Sequence, residues 1–78
     1  MAKIVVIDGQ GGRLGKLLVE EVKARLPQAE LLAVGTNGIA SSAMQKAGAS
    51  QVATGEKPVV RGVMDADGVL GPLGIVVA

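Results

Sequence analysis

The residues most able to do chemistry form a glycine-rich loop near the start of the chain, where four glycines lie within seven positions. The loop follows an apolar run and precedes a segment with helical periodicity. The first turn of a helix offers unpaired N–H groups and the positive end of a dipole, and glycines let an anion approach that backbone. We therefore predict a site for a nucleotide or another phosphate-bearing ligand, with amides around Gly12 facing outward. Its residues are Gly9, Gln10, Gly11, Gly12, Arg13, Leu14 and Gly15.

The spacing of these glycines matches a loose form of the dinucleotide-binding motif. Gly9, Gly11 and Gly15 fit G-x-G-x-x-x-G, whereas strict G-x-G-x-x-G is met in neither register. A strand before the loop and a helix after it are the context that such a motif requires. A tight structural turn, in which the glycines only permit close packing of the helix on the sheet, is the alternative interpretation.

A P-loop is a second alternative, because Gly15 is followed by Lys16. The interval between the first and last glycine of the loop is one residue too long for G-x-x-x-x-G-K-[ST], however, and Leu17 replaces the hydroxyl that binds Mg²⁺. Asp65 or Asp67 would have to supply the second metal carboxylate. A solvated position on the helix surface explains Lys16 equally well.

Polar residues also follow the second predicted strand, where folds that bind NAD usually carry Asp or Glu. Thr36 and Asn37 occupy this place and could hydrogen-bond a ribose or a phosphate. No carboxylate selects NAD here, and no neighbouring arginine favours NADP. Capping of the second helix explains the same two residues. The cofactor is therefore unassigned, with NAD(P) or another nucleotide as candidates.

Asp8 stands directly before the glycines, where a free carboxylate would repel a phosphate. We predict that Asp8 braces the loop by accepting hydrogen bonds from its N–H groups. A metal-binding or nucleophilic role is the alternative, and it needs partners from among Glu56, Lys57 and Asp65. No catalytic dyad or triad is recognisable, so no catalytic residue and no metal ligand is predicted, and enzymatic activity stays open.

The elements that must position these residues alternate between strand and helix. Strands are predicted at Lys3–Ile7, Glu30–Val34, Gln51–Thr54 and Gly68–Leu70, and a turn at 71–74 leads into Ile75–Ala78. Helices separate the first three strands, and Gly55–Gly62 fits either a helix or a strand. This order predicts an α/β fold, a Rossmann-like half in three layers with about four mainly parallel strands and two to three helices. Right-handed crossovers place both helix starts at the carboxyl edge of the sheet.

Each predicted helix carries an apolar stripe that should face the sheet. The first helix ends at Pro27, and the second ends at Gly48 after a cap at Thr36 or Asn37. The stripe of the first helix is Leu14, Leu17, Leu18, Val22 and Leu26. The stripe of the second helix is Ile39, Ala40, Ala43, Met44 and Ala47.

The composition indicates a single small domain spanning residues 1–78. It is 49% hydrophobic but has no aromatic residue, and a core this small gains from a partner surface, so we expect a homo-oligomer. The net charge is +1 without a basic block, which argues against nucleic-acid binding. The chain lacks cysteine and histidine and has no signal-type or membrane-spanning run, so we expect a cytoplasmic protein that binds no membrane.

Four segments resemble a family of short bacterial proteins of unknown function with a Rossmann-like N-terminal half. They read VIDGQGGRLGK, GTNGIASSAMQKAGA, ATGE and GPLGIV. The family patterns are D-G-Q-G-G-x-x-G-K, G-T-N-x-x-A-x-x-A-M-x-x-A-G-A, A-T-G-E and G-P-x-G-I. The resemblance runs over most of the chain and implies the fold and the loop positions, but no activity. Family members continue past G-P-x-G-I, so the chain is expected to be a shortened version or a fragment.

Two functions of different classes follow from these observations. In the first, the domain binds a phosphate-bearing small molecule at the glycine loop, with Thr36 and Asn37 on the ribose side and Gly71–Gly74 closing over it. In the second, the domain is a non-catalytic structural or interaction module. It would then self-associate through its apolar C-terminal segment, since a β-branched edge is a template for strand addition.

Overall fold

The computed structural model describes residues 2–72 and 74–77, without the side chains of residue 60 and residues 74–77. Strands and helices alternate through most of the chain. The elements are β1 (Lys3–Asp8), α1 (Arg13–Arg25), β2 (Glu30–Gly35), α2 (Gly38–Ala47), β3 (Gln51–Thr54), α3 (Glu56–Asp65), β4 (Gly68–Gly71) and β5 (Gly74–Val77). Among the helices of this part of the chain, none is long and apolar enough to cross a membrane.

The strands form one sheet in the order β3-β2-β1-β4-β5. The first four strands are parallel, with Asp8 opposite Gly35 and Val6 opposite Leu70. This order is that of a Rossmann-type half, so the predicted α/β class is confirmed. The last strand pairs antiparallel with β4 in a hairpin. The predicted segment Ile75–Ala78 therefore corresponds to an edge strand, while Leu73 and Ala78 lie outside the described residues.

Helices cover both faces of the sheet, which makes three layers. The core beneath α1 and α2 is the larger one, and its buried members are Val6, Val19, Val22, Leu31, Ala33 and Met44. The core beneath α3 is smaller, and its buried members are Val5, Val34 and Ala66. The alternation of strand residues between the two cores follows the two-residue period of a strand.

The rotation of α1 agrees with only part of the predicted stripe, since Val22 is buried and Leu18 packs against the core. Its buried residues are Gly15, Val19 and Val22, whereas Leu14, Leu17 and Leu26 are 41%, 57% and 49% exposed. A hydrogen bond from the Gly15 N–H to Asp8 holds the glycine side of the helix against β1. Apolar periodicity marks this face only at Val19 and Val22, because Gly15 contributes no apolar side chain.

The other helices agree better with the sequence. In α2 the predicted Ala40 and Met44 are buried, but Ile39 is 71% exposed, and Ser41 takes the inner position instead. The predicted stop at Gly48 is confirmed by its left-handed φ of 109°. The ambiguous segment Gly55–Gly62 lies mostly in α3, with Pro58 in the first turn, where a missing N–H costs no helical hydrogen bond.

Candidate functional site: the glycine loop at the sheet edge

The glycine loop lies where the direction of chain progression across the sheet reverses. From β1 the chain moves to β2 and β3 on one side, and it returns to β4 on the other side of β1. Ligands of open α/β sheets bind at such a switch point, beyond the carboxyl ends of the strands. The loop is flanked by the ends of both neighbouring strands. A Cβ atom added at Gly9 would lie 2.7 Å from Thr36 Oγ1, and one added at Gly71 would lie 3.2 Å from the Ile7 carbonyl oxygen.

A tight turn shapes the loop. The Gly12 N–H donates to the Gly9 carbonyl oxygen at 3.0 Å, which closes four residues into a turn. Gln10 has a φ of 50° and Gly12 a φ of 74°, so two of the four residues adopt left-handed backbone conformations. Only glycine adopts that region without steric cost, which explains Gly12 and leaves Gln10 as a strained residue at the tip.

Asp8 braces the loop, as predicted. Its Oδ1 accepts from the Gly9 N–H at 2.8 Å and its Oδ2 accepts from the Gly15 N–H at 2.6 Å. Asp8 is 7% exposed; its hydrogen bond with Gly15 is buried, and its hydrogen bond with Gly9 is partly buried. The carboxylate thus caps the first turn of α1 from the preceding strand, where a negative charge is favoured by the helix dipole. No cluster of three acidic residues that could bind a metal occurs within the described residues.

Close packing accounts for two further glycines. A Cβ atom at Gly12 would lie 2.8 Å from Ala40 Cα, and one at Gly15 would lie 2.7 Å from both Asp8 Cβ and Met44 Sδ. These contacts let α1 approach α2 and β1, as the structural-turn interpretation requires. Gly11 differs from them, because an added Cβ atom there would have no neighbour within 4 Å. Packing therefore explains Gly12 and Gly15 but not Gly11.

The backbone amides of the loop fall into two groups. The N–H groups of Gly9, Gly12 and Gly15 are engaged within the loop, so the outward-facing amides predicted around Gly12 do not include that of Gly12 itself. The others make no hydrogen bond to a described residue, and all belong to exposed residues. They are the amides of Gln10, Gly11, Arg13 and Leu14. An anion would find its donors in this outer group.

The two residues after β2 have different roles. Asn37 Oδ1 accepts from the Ala40 N–H at 2.9 Å, which confirms helix capping for Asn37. Thr36 is exposed and holds its hydroxyl against Gly9, beside the loop. The sequence did not single out Ser41, which is buried. Its hydroxyl oxygen lies 2.6 Å from Thr54 Oγ1, and its hydroxyl donates a hydrogen bond to the Ala53 carbonyl oxygen. These hydrogen bonds connect α2 to β3 next to Asn37, and no sequence pattern predicts them.

The carboxylates required by a P-loop lie at the wrong end of the sheet. Asp67 Oδ2 accepts from the Lys3 N–H at 2.7 Å, at the amino end of β1. The length of β1, about 17 Å at the usual rise per residue, separates that position from the glycine loop. Asp65 lines a groove that also includes Lys3. The P-loop alternative is therefore wrong for both aspartates, and Lys16 is an exposed residue of α1.

Comparison with known proteins identifies a family but no activity. Residues 3–78 match the family described as "Domain of unknown function (DUF3842)". Neither the curated proteins nor the solved structures contain a significant match to this chain. The expected relation to an uncharacterised family is confirmed at that level, and the four sequence motifs stay a prediction.

Proposed function

Because the chain belongs to the DUF3842 family of unknown function, we propose its role from the loop geometry: it binds a nucleotide or another phosphate-bearing small molecule after β1. The observation that carries the proposal is the outer group of amides. Gly11, Arg13 and Leu14 present N–H groups that make no hydrogen bond to a described residue, at the start of a 13-residue helix. Such groups attract phosphate oxygens through hydrogen bonds and the helix dipole.

Gly11 supports this proposal independently of the other glycines. Packing requires hydrogen at Gly12 and Gly15, but the space around Gly11 is open. A Cβ atom at residue 11 would project into that space with no neighbour within 4 Å. A ligand that approaches the backbone closely is the physical reason to keep residue 11 small.

Asp8 limits the number of N–H groups that the loop can offer to a phosphate. Its carboxylate already takes the Gly15 amide in the first turn of α1, so a phosphate would use only the outer donors. We expect weaker binding than a loop with every amide free would give, because each lost N–H removes a charge-assisted hydrogen bond. Thr36 lies beside the loop, where it would contact a ribose, while Asn37 Oδ1 is already hydrogen-bonded as the helix cap. NAD(P) and other nucleotides are the candidate ligands.

Titration of the full chain with NAD, NADP, ATP and FMN tests the proposal. Calorimetry measures the affinity, and amide NMR shifts of ¹⁵N-labelled protein identify the site. We expect the largest shifts at Gly11, Arg13 and Leu14. Absence of both heat and shifts with all four nucleotides at millimolar concentration would contradict the proposal.

A matched pair of variants separates binding from folding. Gly11→Val and Gly38→Val each add a side chain where a Cβ atom meets nothing within 4 Å, one in the loop before α1 and one at the start of α2. We expect both to change the free energy of unfolding by less than about 1 kcal/mol. Gly11→Val should weaken nucleotide binding at least about tenfold through steric exclusion, a loss of about 1.4 kcal/mol. Gly38→Val should leave the affinity unchanged.

A self-associating module is the second candidate, favoured by the position of β5. This strand forms the edge of the described sheet and pairs with β4 on one side. An edge strand offers its outer N–H and C=O groups to a strand from another copy. Light scattering before and after deletion of residues 75–78 tests it, with circular dichroism to verify folding. If the deletion variant folds and its association state is unchanged, the segment takes no part in any interface.

A further inference from the structure

A groove of about 720 Å³ lies away from the glycine loop, beneath α3. One wall is α3, and the floor comes from the amino-terminal halves of β1 and β2, with the start of β3 beside them. The volume falls within the range of small-molecule sites, about 300–1,000 Å³. Because the glycine loop is at the carboxyl edge, a ligand in this groove would not compete with one on the loop.

The floor of the groove is apolar. Val5 and Leu32 come from neighbouring strands, and Gly62 faces them from α3. A Cβ atom at Gly62 would lie 3.3 Å from Leu32 Cδ2 and 3.4 Å from the methyl groups of Val5, so the helix approaches the sheet closely at this point. α3 is the one helix of the described chain on this face, whereas α1 and α2 share the other. Leu32, which is half-buried, is therefore left with apolar surface open to the groove, whereas Val5 is already covered.

Basic side chains border this apolar floor. Lys57 and Arg61 lie one turn apart on α3, and Lys3 lies at the start of β1. The acidic residues of the lining are Glu30 and Asp65. The ion pair in the described structure joins Arg25 to Glu21, so no carboxylate of a described residue lies within 4 Å of the Lys57 or Arg61 head group. Like charges four residues apart disfavour a helix, and a bound anion would remove that repulsion.

We infer that this groove binds a small organic anion with an apolar body, of the aliphatic carboxylate class. The guanidinium of Arg61 suits a carboxylate because its N–H groups match the two oxygens. Lys57 adds a second positive charge one turn away. The aliphatic part would lie along Leu32, which is half-buried, and remove its remaining apolar surface from water.

Hexanoate is the probe that tests this inference, with 1-hexanol as the neutral control of equal chain length. Amide NMR of the ¹⁵N-labelled full chain should show hexanoate-dependent shifts at Val5, Leu32 and Gly62, with Gly11 unaffected. We expect 1-hexanol to bind more weakly. Equal binding of the two compounds would overturn the anionic part of the inference.

Charge-removing variants locate the anion. Lys57→Gln and Arg61→Gln should each weaken hexanoate binding about tenfold, as expected for loss of a hydrogen bond to a charged group. Lys46→Gln removes the same charge from α2, on the opposite face of the sheet, and should change nothing. Unchanged affinity in both groove variants, with folding verified by circular dichroism, would overturn the inference.

Absence of groove shifts with hexanoate would also overturn it. The nucleotide titration of the glycine loop uses other amides as reporters. Failure of either site therefore leaves the other measurement interpretable.

Discussion

The starts of α1 and α2 solve the same problem in different ways. Both helices follow parallel strands at the carboxyl edge of the sheet, and both must satisfy the N–H groups of a first turn. At α2 the cap is local, because Asn37 at the N-cap accepts from the Ala40 N–H. At α1 the N-cap is Gly12, which has no side chain, and Asp8 on β1 accepts from the Gly15 N–H instead.

The difference shows how a cap from a distant residue leaves the outer side of a loop uncovered. Asn37 is the N-cap residue of α2, so its own side chain occupies the space beside the first turn where an anion would bind. Asp8 reaches the first turn of α1 from the strand and is buried, so the outer side of the loop stays uncovered at Gly11. Two helix starts at one sheet edge therefore differ in whether the cap covers the outer side of the first turn.

Among these variants, Gly12→Ala should lower the free energy of unfolding most. The new methyl group would lie 2.8 Å from Ala40 Cα, and the residue would keep a φ of 74°. Overpacking against backbone and a left-handed conformation together should lower the free energy of unfolding by about 3 kcal/mol. Urea denaturation followed by circular dichroism measures this loss. A loss below about 1 kcal/mol would mean that α1 and α2 separate easily at this contact.

Asp8→Asn should have the next largest effect. The amide keeps the size of the carboxylate, but it presents an NH₂ group to one of the two N–H donors, Gly9 or Gly15. A buried donor without an acceptor, together with loss of a charge-assisted hydrogen bond, should lower the free energy of unfolding by about 2 kcal/mol. The same urea measurement applies. An unchanged midpoint would show that the brace does not stabilise the start of α1.

The strands could be predicted from the sequence because their signals are local. The apolar runs that begin at Lys3 and Glu30 end at Asp8 and Gly35, within one residue of the predicted ends. The rotation of α1 could not be predicted, since it depends on contacts of Gly15 with Asp8 and Met44. A glycine carries no hydropathy signal, and its tight contacts are set by the tertiary structure.

Part of the candidate site could likewise be predicted from the sequence, and part could not. The chemistry of a carboxylate next to unpaired amides was sufficient to predict the brace by Asp8. Which amides stay uncovered depends on the turn that joins Gly9 to Gly12, and on its backbone angles. The groove beneath α3 gave no sequence signal at all, because its lining comes from four separate elements.

Asn37→Ala tests the local cap and should be milder than Asp8→Asn. It removes the acceptor of the Ala40 N–H, which is partly buried and can recruit water more easily than the Gly15 N–H. Loss of an N-cap of this kind costs about 1 kcal/mol of unfolding free energy. Urea denaturation of both variants side by side measures the difference. An effect of Asn37→Ala equal to or larger than that of Asp8→Asn would contradict the ranking of the two caps.

Gly38→Ala should have the smallest effect, and it is the counterpart of Gly12→Ala at the start of α2. An added Cβ atom at Gly38 meets nothing within 4 Å, and the residue lies in the helix rather than in a left-handed turn. Alanine should stabilise this turn by about 0.5 kcal/mol, because it restricts the unfolded chain more than glycine does. The expected shift of the urea midpoint is therefore small and opposite in sign to that of Gly12→Ala. A large loss at Gly38 would mean that both helix starts depend on glycine for packing, and the contrast between them would then disappear.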